Sequence, residues 1–179
     1  SDTGNDTIYG DSSDSEVVAV GDDNINGQGG DDSIDGGDGN DLIDGGTGTD
    51  LILGGTGNDE LRGGGGVGDR LEGGSGDDVL YGSDDGADQM FGGDGRDRLF
   101  GLRGNDLLDG GNEDDVLDGG AGDDTVIGGA GSDVLLGGAN VATIIRICQS
   151  SSPVERIARN STKTSPPPRF WARPVNCQV

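Results

Sequence analysis

Aspartate recurs in this sequence with a spacing that suits a repeated cation site. From residue 23 to residue 133 an aspartate stands at every ninth or tenth position, and a large aliphatic residue follows it two positions later. Carboxylates are hard oxygen ligands, which hard divalent cations prefer over nitrogen or sulfur. The pattern therefore predicts many equivalent cation sites along the chain and no single centre.

The segment 36–62 shows the repeat most clearly, as GGDGNDLID, GGTGTDLIL and GGTGNDELR. Its pattern is G-G-x-G-x-D-x-U-x, where U is a large aliphatic residue, and we count fourteen copies between residues 3 and 136. Position six is aspartate in every copy. The predicted metal ligands are Asp6, Asp23, Asp32, Asp41, Asp50, Asp59, Asp69, Asp78, Asp88, Asp97, Asp106, Asp115, Asp124 and Asp133.

The glycines and the aliphatic position divide each repeat into a turn and a strand. Glycine at positions one, two and four allows positive φ and close backbone approach, so the first six residues can form a tight turn. The tripeptide x-U-x then forms a minimal strand that turns one side chain inward. One aliphatic residue in nine cannot be buried by a single strand, so the repeats must stack.

The charge of the chain limits its partners. The formal net charge is −24, with 40 glycines and 3% aromatic residues in 179. Such a chain repels itself in water and needs a cation to compensate before it folds. Nucleic acid is excluded as a partner because polyanions repel, and no apolar run approaches the ~20 residues of a membrane span.

The pattern resembles the RTX, or hemolysin-type, calcium-binding nonapeptide repeat family. The resemblance implies an all-β fold, a right-handed parallel β-roll solenoid in which two repeats make one coil and turns line both edges. Each turn then faces the turn of the repeat two further on, so that Asp41 and Asp59 share one edge and Asp50 and Asp69 the other. Multiple Ca²⁺ ions are implied between the stacked turns.

The resemblance also implies a function. We expect a calcium-binding module of an extracellular, secreted bacterial protein that folds on binding calcium outside the cell and supports type I secretion. The alternative is an accessory or binding module of a secreted polysaccharide-modifying enzyme, protease, lipase or adhesin. The chain opens in mid-repeat and is expected to be a fragment, so a fused catalytic, toxin or adhesin domain would lie elsewhere in the parent protein.

Other functions have less support in the sequence. Paired carboxylates also serve glycosidases, but each aspartate here has a repeat position and there is no His, so we expect no intrinsic enzyme activity. Position three lacks the regular threonine ranks of an ice-binding surface. The apolar residues at position seven have two interpretations: they reflect the β-propensity of a strand surface, or they form an exposed apolar stripe that binds a partner. They are Leu42, Leu51, Val79, Leu107, Val116 and Val134.

Some copies depart from the pattern and are expected to distort or weaken their local sites. The segments 63–72 and 82–91 each carry one extra residue, and residues 10–20 break the repeat. Gln28, Ser83 and Leu102 replace the second glycine, and Glu113 replaces the glycine of position four.

The chain changes character near residue 138. Residues 1–138 hold every glycine and carry 34 acidic and 5 basic side chains, whereas residues 139–179 hold every proline and carry 1 acidic and 6 basic. We therefore predict a calcium-binding roll over 1–138 and an irregular, disordered tail over 139–179. A frameshift product, a linker and a cap remain open as explanations of the tail, and its two cysteines suggest no metal site.

Overall fold

The computed structural model describes residues 7–9, 21–138, 143–145 and 156–158. These residues form sixteen strands, and the described part of the chain contains no helix, hence none long and apolar enough to cross a membrane. The strands are β1 (Thr7–Tyr9), β2 (Asn24–Asn26), β3 (Ser33–Asp38), β4 (Leu42–Gly48), β5 (Leu51–Thr56), β6 (Glu60–Gly66), β7 (Arg70–Ser75), β8 (Val79–Ser83), β9 (Gln89–Asp94), β10 (Arg98–Phe100), β11 (Leu107–Asn112), β12 (Val116–Asp118), β13 (Thr125–Ile127), β14 (Val134–Leu136), β15 (Thr143–Ile145) and β16 (Arg156–Ala158).

Successive strands alternate between two parallel sheets. One sheet holds the odd-numbered strands in the order β1 to β15, and the other holds the even-numbered strands from β2 to β16. Each strand pairs in parallel with the strand two further along the chain, so that Ile34 lies beside Ile52 and Ile43 beside Leu61. Two repeats therefore complete one coil, and the predicted parallel β-roll is confirmed.

The core is built from the aliphatic residue at position eight, as predicted. It includes Ile25, Ile34, Ile43, Ile52, Leu61, Leu71, Leu80, Met90, Leu99, Leu108, Leu117, Val126 and Leu135. All are buried, and none exposes more than 8% of its surface. Burying such a side chain contributes about 1.5–3 kcal/mol. Because each repeat buries only one such side chain, no repeat forms a core by itself, and the coils are stable only as a stack.

Strands β3 to β9, together with β11, are longer than the predicted tripeptide. Strand β4 continues from the x-U-x tripeptide through the glycines at positions one, two and four of the next repeat. Paired backbones pack closely there: Gly46 lies beside Gly64 and Gly48 beside Gly66. Strand pairing uses backbone groups alone, so glycine turns add to the ladder once successive coils are in register.

The two ten-residue repeats preserve this register because they stack on each other. Their strands, β7 and β9, are neighbours in the odd-numbered sheet, with Leu71 beside Met90. The extra residue in each therefore lies in the turn on the same edge of the roll and moves no core side chain to the outer face.

Two short strands lie beyond the predicted end of the roll at residue 138. Strand β15 pairs with β13 and places Ile144 against the core, and β16 pairs with β14. This differs from the expectation that the tail adds nothing to the sheets. Ile144 keeps the nine-residue spacing from Leu135, and strand pairing needs neither Gly nor Asp. The division of the chain at residue 138 stays a prediction, since most of the tail lies outside the described residues.

The outer faces of both sheets carry the position-seven residues. Leu42 and Val134 are 39% and 37% exposed, and Leu51, Val79, Leu107 and Val116 are partly buried. The pairing places alternate repeats on alternate sheets, so these residues do not form one continuous apolar stripe.

Candidate metal sites

The position-six aspartates occupy the last turn residue before each strand. Eleven are buried although they are charged, with 1–3% of their surface exposed; they are Asp32, Asp41, Asp50, Asp59, Asp69, Asp78, Asp88, Asp97, Asp106, Asp115 and Asp124. Asp23 and Asp133 are partly buried at the ends of the described roll. Asp6 lies outside the described residues. Burial of so many carboxylates indicates that each has a specific partner.

One carboxylate oxygen of each position-six aspartate from Asp41 to Asp133 is held by the backbone of the preceding coil. The amide of Asp41 donates to Oδ1 of Asp59 at 2.8 Å, and the amide of Asp59 donates to Oδ1 of Asp78 at 2.8 Å. The amide of Asp50 donates to Oδ1 of Asp69 on the other edge. Equivalent bonds continue from Asp23 to Asp133. The expected sharing of edges is therefore seen in these ladders.

The second oxygen of these carboxylates is different. Oδ2 is buried and accepts no hydrogen bond within the described protein in Asp41, Asp50, Asp59, Asp69, Asp78, Asp97, Asp106, Asp115 and Asp124. A buried acceptor without a partner costs roughly 1–3 kcal/mol, and more when it is charged. Nine such atoms arranged in two stacks are too many to be incidental, so they require a ligand that the protein itself does not supply.

Seven of these nine oxygens, all but those of Asp69 and Asp124, face a backbone carbonyl across a space that only glycine leaves open. A Cβ added to Gly36 would lie 2.4 Å from Oδ2 of Asp41 and 2.6 Å from the carbonyl oxygen of Gly54. The same pair of oxygens recurs at Gly110, with Asp115 and the carbonyl of Gly128. Position one must be glycine because any side chain would displace both oxygens.

The glycines of positions two and four let consecutive coils approach. Gly57 has a φ of 127°, and a Cβ on it would lie 1.8 Å from the carbonyl oxygen of Gly39 in the coil before. Carbonyl oxygens thus crowd the same turns as the carboxylates. Among the described residues, no three Asp, Glu, His or Cys side chains converge as a metal cage, so a cation in these turns must take carbonyl oxygens in addition to carboxylates.

This donor set fits calcium. Carboxylate and carbonyl oxygens in a flexible, high-coordination arrangement suit Ca²⁺, whereas Mg²⁺ demands a tight octahedron and keeps its waters. Zinc prefers the nitrogen and sulfur ligands that are missing from the described turns. The buried Oδ2 atoms, the carbonyls that face them and the glycine spaces between them together meet the requirements of the ion that the sequence predicts.

Burial perturbs these carboxyl groups strongly. Desolvation raises the pKa of Asp59, Asp69 and Asp97 to about 6, that of Asp78 and Asp106 to about 7 and that of Asp115 to about 8. The amide donated to Oδ1 lowers each pKa, but less than burial raises it, and neighbouring aspartates raise it further. Without a cation, the folded roll therefore disfavours the charged form of its own ladder.

A second ladder at position five was missed by the sequence analysis. The amide of Asn58 donates to Oδ1 of Asn40 at 2.9 Å, the amide of Asp77 to Oδ1 of Asn58 at 2.7 Å, and the amide of Arg96 to Oδ1 of Asp77 at 2.9 Å. These bonds run in the opposite direction to the position-six ladder. The recurrence of Asn and Asp at position five was the available signal, since their side chains readily cap backbone amides in turns.

The departures from the repeat leave visible marks. Gln28, Leu102 and Glu113 have φ values of 73°, 66° and 71°, the positive φ that glycine adopts in the regular copies. Ser83 instead lies inside the turn, where its amide and hydroxyl both contact Oδ2 of Asp88. Gln28, Leu102 and Glu113 therefore keep the backbone conformation of the regular turn, and of these four replacements only Ser83 departs from it. The effect of the four replacements on ion binding stays a prediction.

Comparison with known proteins agrees with this geometry. The sequence model of the family described as RTX calcium-binding nonapeptide repeat (4 copies) matches residues 1–14, 19–52, 44–67, 68–85, 83–117 and 109–141. The matches overlap or abut from residue 19 to residue 141 and cover well over half of the chain. No curated protein matches the chain.

Proposed function

The chain belongs to the RTX calcium-binding nonapeptide repeat family, and from that premise we propose that it is a module that folds when it binds calcium outside the cell. It then supports the secretion and stability of a larger protein exported by a type I pathway. The observation that carries the proposal is the double stack of buried Oδ2 atoms that accept no hydrogen bond within the described roll.

The ladder aspartates are already oriented in the folded roll before any ion binds. The backbone amide of one coil fixes Oδ1 of the next, as Asp59 does for Asp78, and this sets the direction in which Oδ2 points. The carbonyl oxygen of position one, such as that of Gly92 beside Asp78, lies against the same space. Bound calcium supplies positive charge and several coordination positions for these oxygens.

The described core buries too little apolar surface to hold the acidic turns together without a bound cation. Each repeat buries one aliphatic side chain, and residues 1–138 carry 34 acidic against 5 basic side chains. The carboxylates of each edge lie in consecutive coils, where their charges repel and desolvation penalises them. A ligand that binds only the folded chain shifts the folding equilibrium toward it, so the module is disordered at low calcium.

This dependence fits passage through a narrow export channel. The chain stays unfolded in the low calcium of the cytosol and folds outside, where sites with dissociation constants of about 10⁻⁴–10⁻³ M fill. The chain has no catalytic role of its own in this account, because its recurrent carboxylates serve the ladders. A catalytic, toxin or adhesin function belongs to another domain of the parent protein.

Calcium binding tests the proposal directly. Equilibrium dialysis of metal-free protein against calcium should show uptake of several ions per chain, with a steep dependence on calcium concentration because stacked sites fold together. Magnesium at the same concentration should compete poorly. Uptake of no more than one ion, or equal uptake of the two metals, would contradict the proposal.

A further inference from the structure

Asp88 is the exception among the buried position-six aspartates of the described roll. Its Oδ1 accepts a hydrogen bond from the amide of Asp69 at 2.8 Å, as the ladder requires. Its Oδ2 accepts two further hydrogen bonds, from the amide of Ser83 at 2.6 Å and from the hydroxyl of Ser83 at 3.0 Å. The oxygen that lacks a protein partner in the other repeats is therefore satisfied here by the protein.

The neighbouring repeat provides an internal comparison. Residues 63–72 have the same ten-residue length and lie on the same edge, and Gly64 is the parallel partner of Ser83. Gly64 has a φ of 98°, which Ser83 does not share, and Oδ2 of Asp69 accepts no hydrogen bond. The extra residue alone therefore does not satisfy the carboxylate; the difference comes from serine at position two.

The Ser83 contacts lie in the interior of the turn. Ser83 exposes none of its surface, and Asp88 exposes 1%. Oδ2 of Asp88 also faces the space at Gly82, and the carbonyl oxygen of Gly101 borders the same space. For this carboxylate to ligate an ion through Oδ2, a buried amide and a buried hydroxyl would both lose their acceptor, which is costly where water cannot replace it.

We propose that the Ser83–Asp88 pair takes the place of a calcium ion in this repeat. The inference rests on the proposed function, since it concerns which turns of a calcium-binding roll take up the ion. The space bordered by Gly82, Asp88 and Gly101 is closed to calcium by the protein's own donors. On the edge of the roll that contains both ten-residue repeats, the turn at Asp88 is thus held by protein hydrogen bonds alone and not by calcium.

The substitution Ser83→Gly tests this, because glycine is the residue that the regular repeats carry at position two and the fold tolerates it there. Native mass spectrometry at saturating calcium counts bound ions singly. Ser83→Gly should bind one ion more than the unaltered chain. The matched control is Ser75→Gly, an exposed serine-to-glycine change at position three, which should leave the count unchanged.

The possible outcomes separate the inference from the function it rests on. If the unaltered chain binds several ions and Ser83→Gly binds the same number, the inference is overturned and the proposed function stands. If Ser75→Gly also gains an ion, the gain reflects added glycine and the inference is again overturned. If neither the unaltered chain nor the variants bind calcium, the proposed function fails and the inference falls with it.

Discussion

The amide of Asp59 donates a hydrogen bond to Oδ1 of Asp78 at 2.8 Å, while Oδ2 of the same Asp78 carboxylate is buried without a hydrogen-bond partner in the described roll. This division between the two oxygens recurs from coil to coil. One oxygen joins consecutive coils through the backbone, and the other is available to a cation. The relationship explains why aspartate, with its two carboxylate oxygens, recurs at position six. It also explains why the buried carboxylates destabilise the folded roll when no cation is bound.

Asp78→Asn tests the role of the second oxygen. Asparagine retains an acceptor for the amide of Asp59, but its NH₂ group cannot ligate a cation. We expect the calcium midpoint for folding to rise, with a loss of about 1–3 kcal/mol at fixed calcium. The matched control is Asp77→Asn, an exposed change in the adjacent position-five ladder, whose effect should stay near 0.5 kcal/mol or less. Circular dichroism measures the calcium midpoint of folding for both variants. Equal midpoints for Asp78→Asn and Asp77→Asn would count against Oδ2 of Asp78 as a calcium ligand.

The core predicts a contrast between two leucines. Leu61 exposes 0% of its surface between the sheets, whereas Leu42 is 39% exposed on the outer face. In saturating calcium, Leu61→Ala should lower the free energy of unfolding by about 2–5 kcal/mol through lost burial and a cavity. Leu42→Ala should change it by about 0.5 kcal/mol or less. Urea denaturation measures both, and similar losses would show that the outer face is buried by a partner.

Leu102 offers a stabilising substitution. Its φ of 66° places a side chain where glycine is preferred, and the side chain is 41% exposed. Left-handed backbone costs a non-glycine residue about 1–2 kcal/mol, and glycine loses about 0.5–1 kcal/mol of this through its greater freedom when unfolded. Leu102→Gly should therefore raise stability slightly in urea, while Leu102→Ala, which keeps a Cβ, should not. A gain in both variants would point to the removed leucine side chain instead.

The raised pKa values predict that acid partly substitutes for calcium. The pKa of Asp59 rises to about 6 and that of Asp115 to about 8 in the folded roll, whereas an unfolded aspartate titrates near about 3.9. Protonation thus favours the folded state: this contribution is complete below about pH 4 and is lost as the pH rises through 6 to 8. Metal-free protein should gain β signal on acidification from pH 8 to pH 5.

Calcium binding should show the opposite dependence in the same pH window. Protons and calcium compete for Oδ2 of the folded roll, so the calcium concentration for half-maximal binding should rise as the pH falls from 8 to 5. Equilibrium dialysis against calcium at several pH values measures this binding, and circular dichroism of the metal-free protein measures the gain in β signal. A binding midpoint that stays constant although acid folds the metal-free chain would show that the buried ladder carboxylates are not the ligands.

The sequence predicted those features that depend on period and side-chain type. Each repeat has one core aliphatic residue, such as Ile43 or Leu61, so the repeats had to stack in order to bury it. The glycines at position one, such as Gly36 and Gly54, already indicated close backbone approach. The separate tasks of Oδ1 and Oδ2 in Asp78 were not predictable, because they depend on which amide of the adjacent coil lies within reach.

Other features depended on contacts that the repeat pattern does not encode. Asn58 at position five is one of several residue types found there, and its bond to the amide of Asp77 required the stacking to be known. Ser83 was recognised as a departure from glycine, but its two bonds to Asp88 depend on a change in φ that Gly64 in the other ten-residue repeat does not share. Ile144 is different, because it packs against the core at the nine-residue spacing of the repeat although the composition around it indicated another kind of chain.

The most direct test of calcium-driven folding is the far-ultraviolet circular dichroism of metal-free protein at pH 7.5 as calcium is added. The ladders predict a disordered spectrum in chelator, which converts cooperatively to a β spectrum as calcium reaches the millimolar range and reverts when calcium is removed. A full β spectrum in excess chelator that calcium does not change would contradict the account, because the buried Oδ2 atoms would then be stable without an ion.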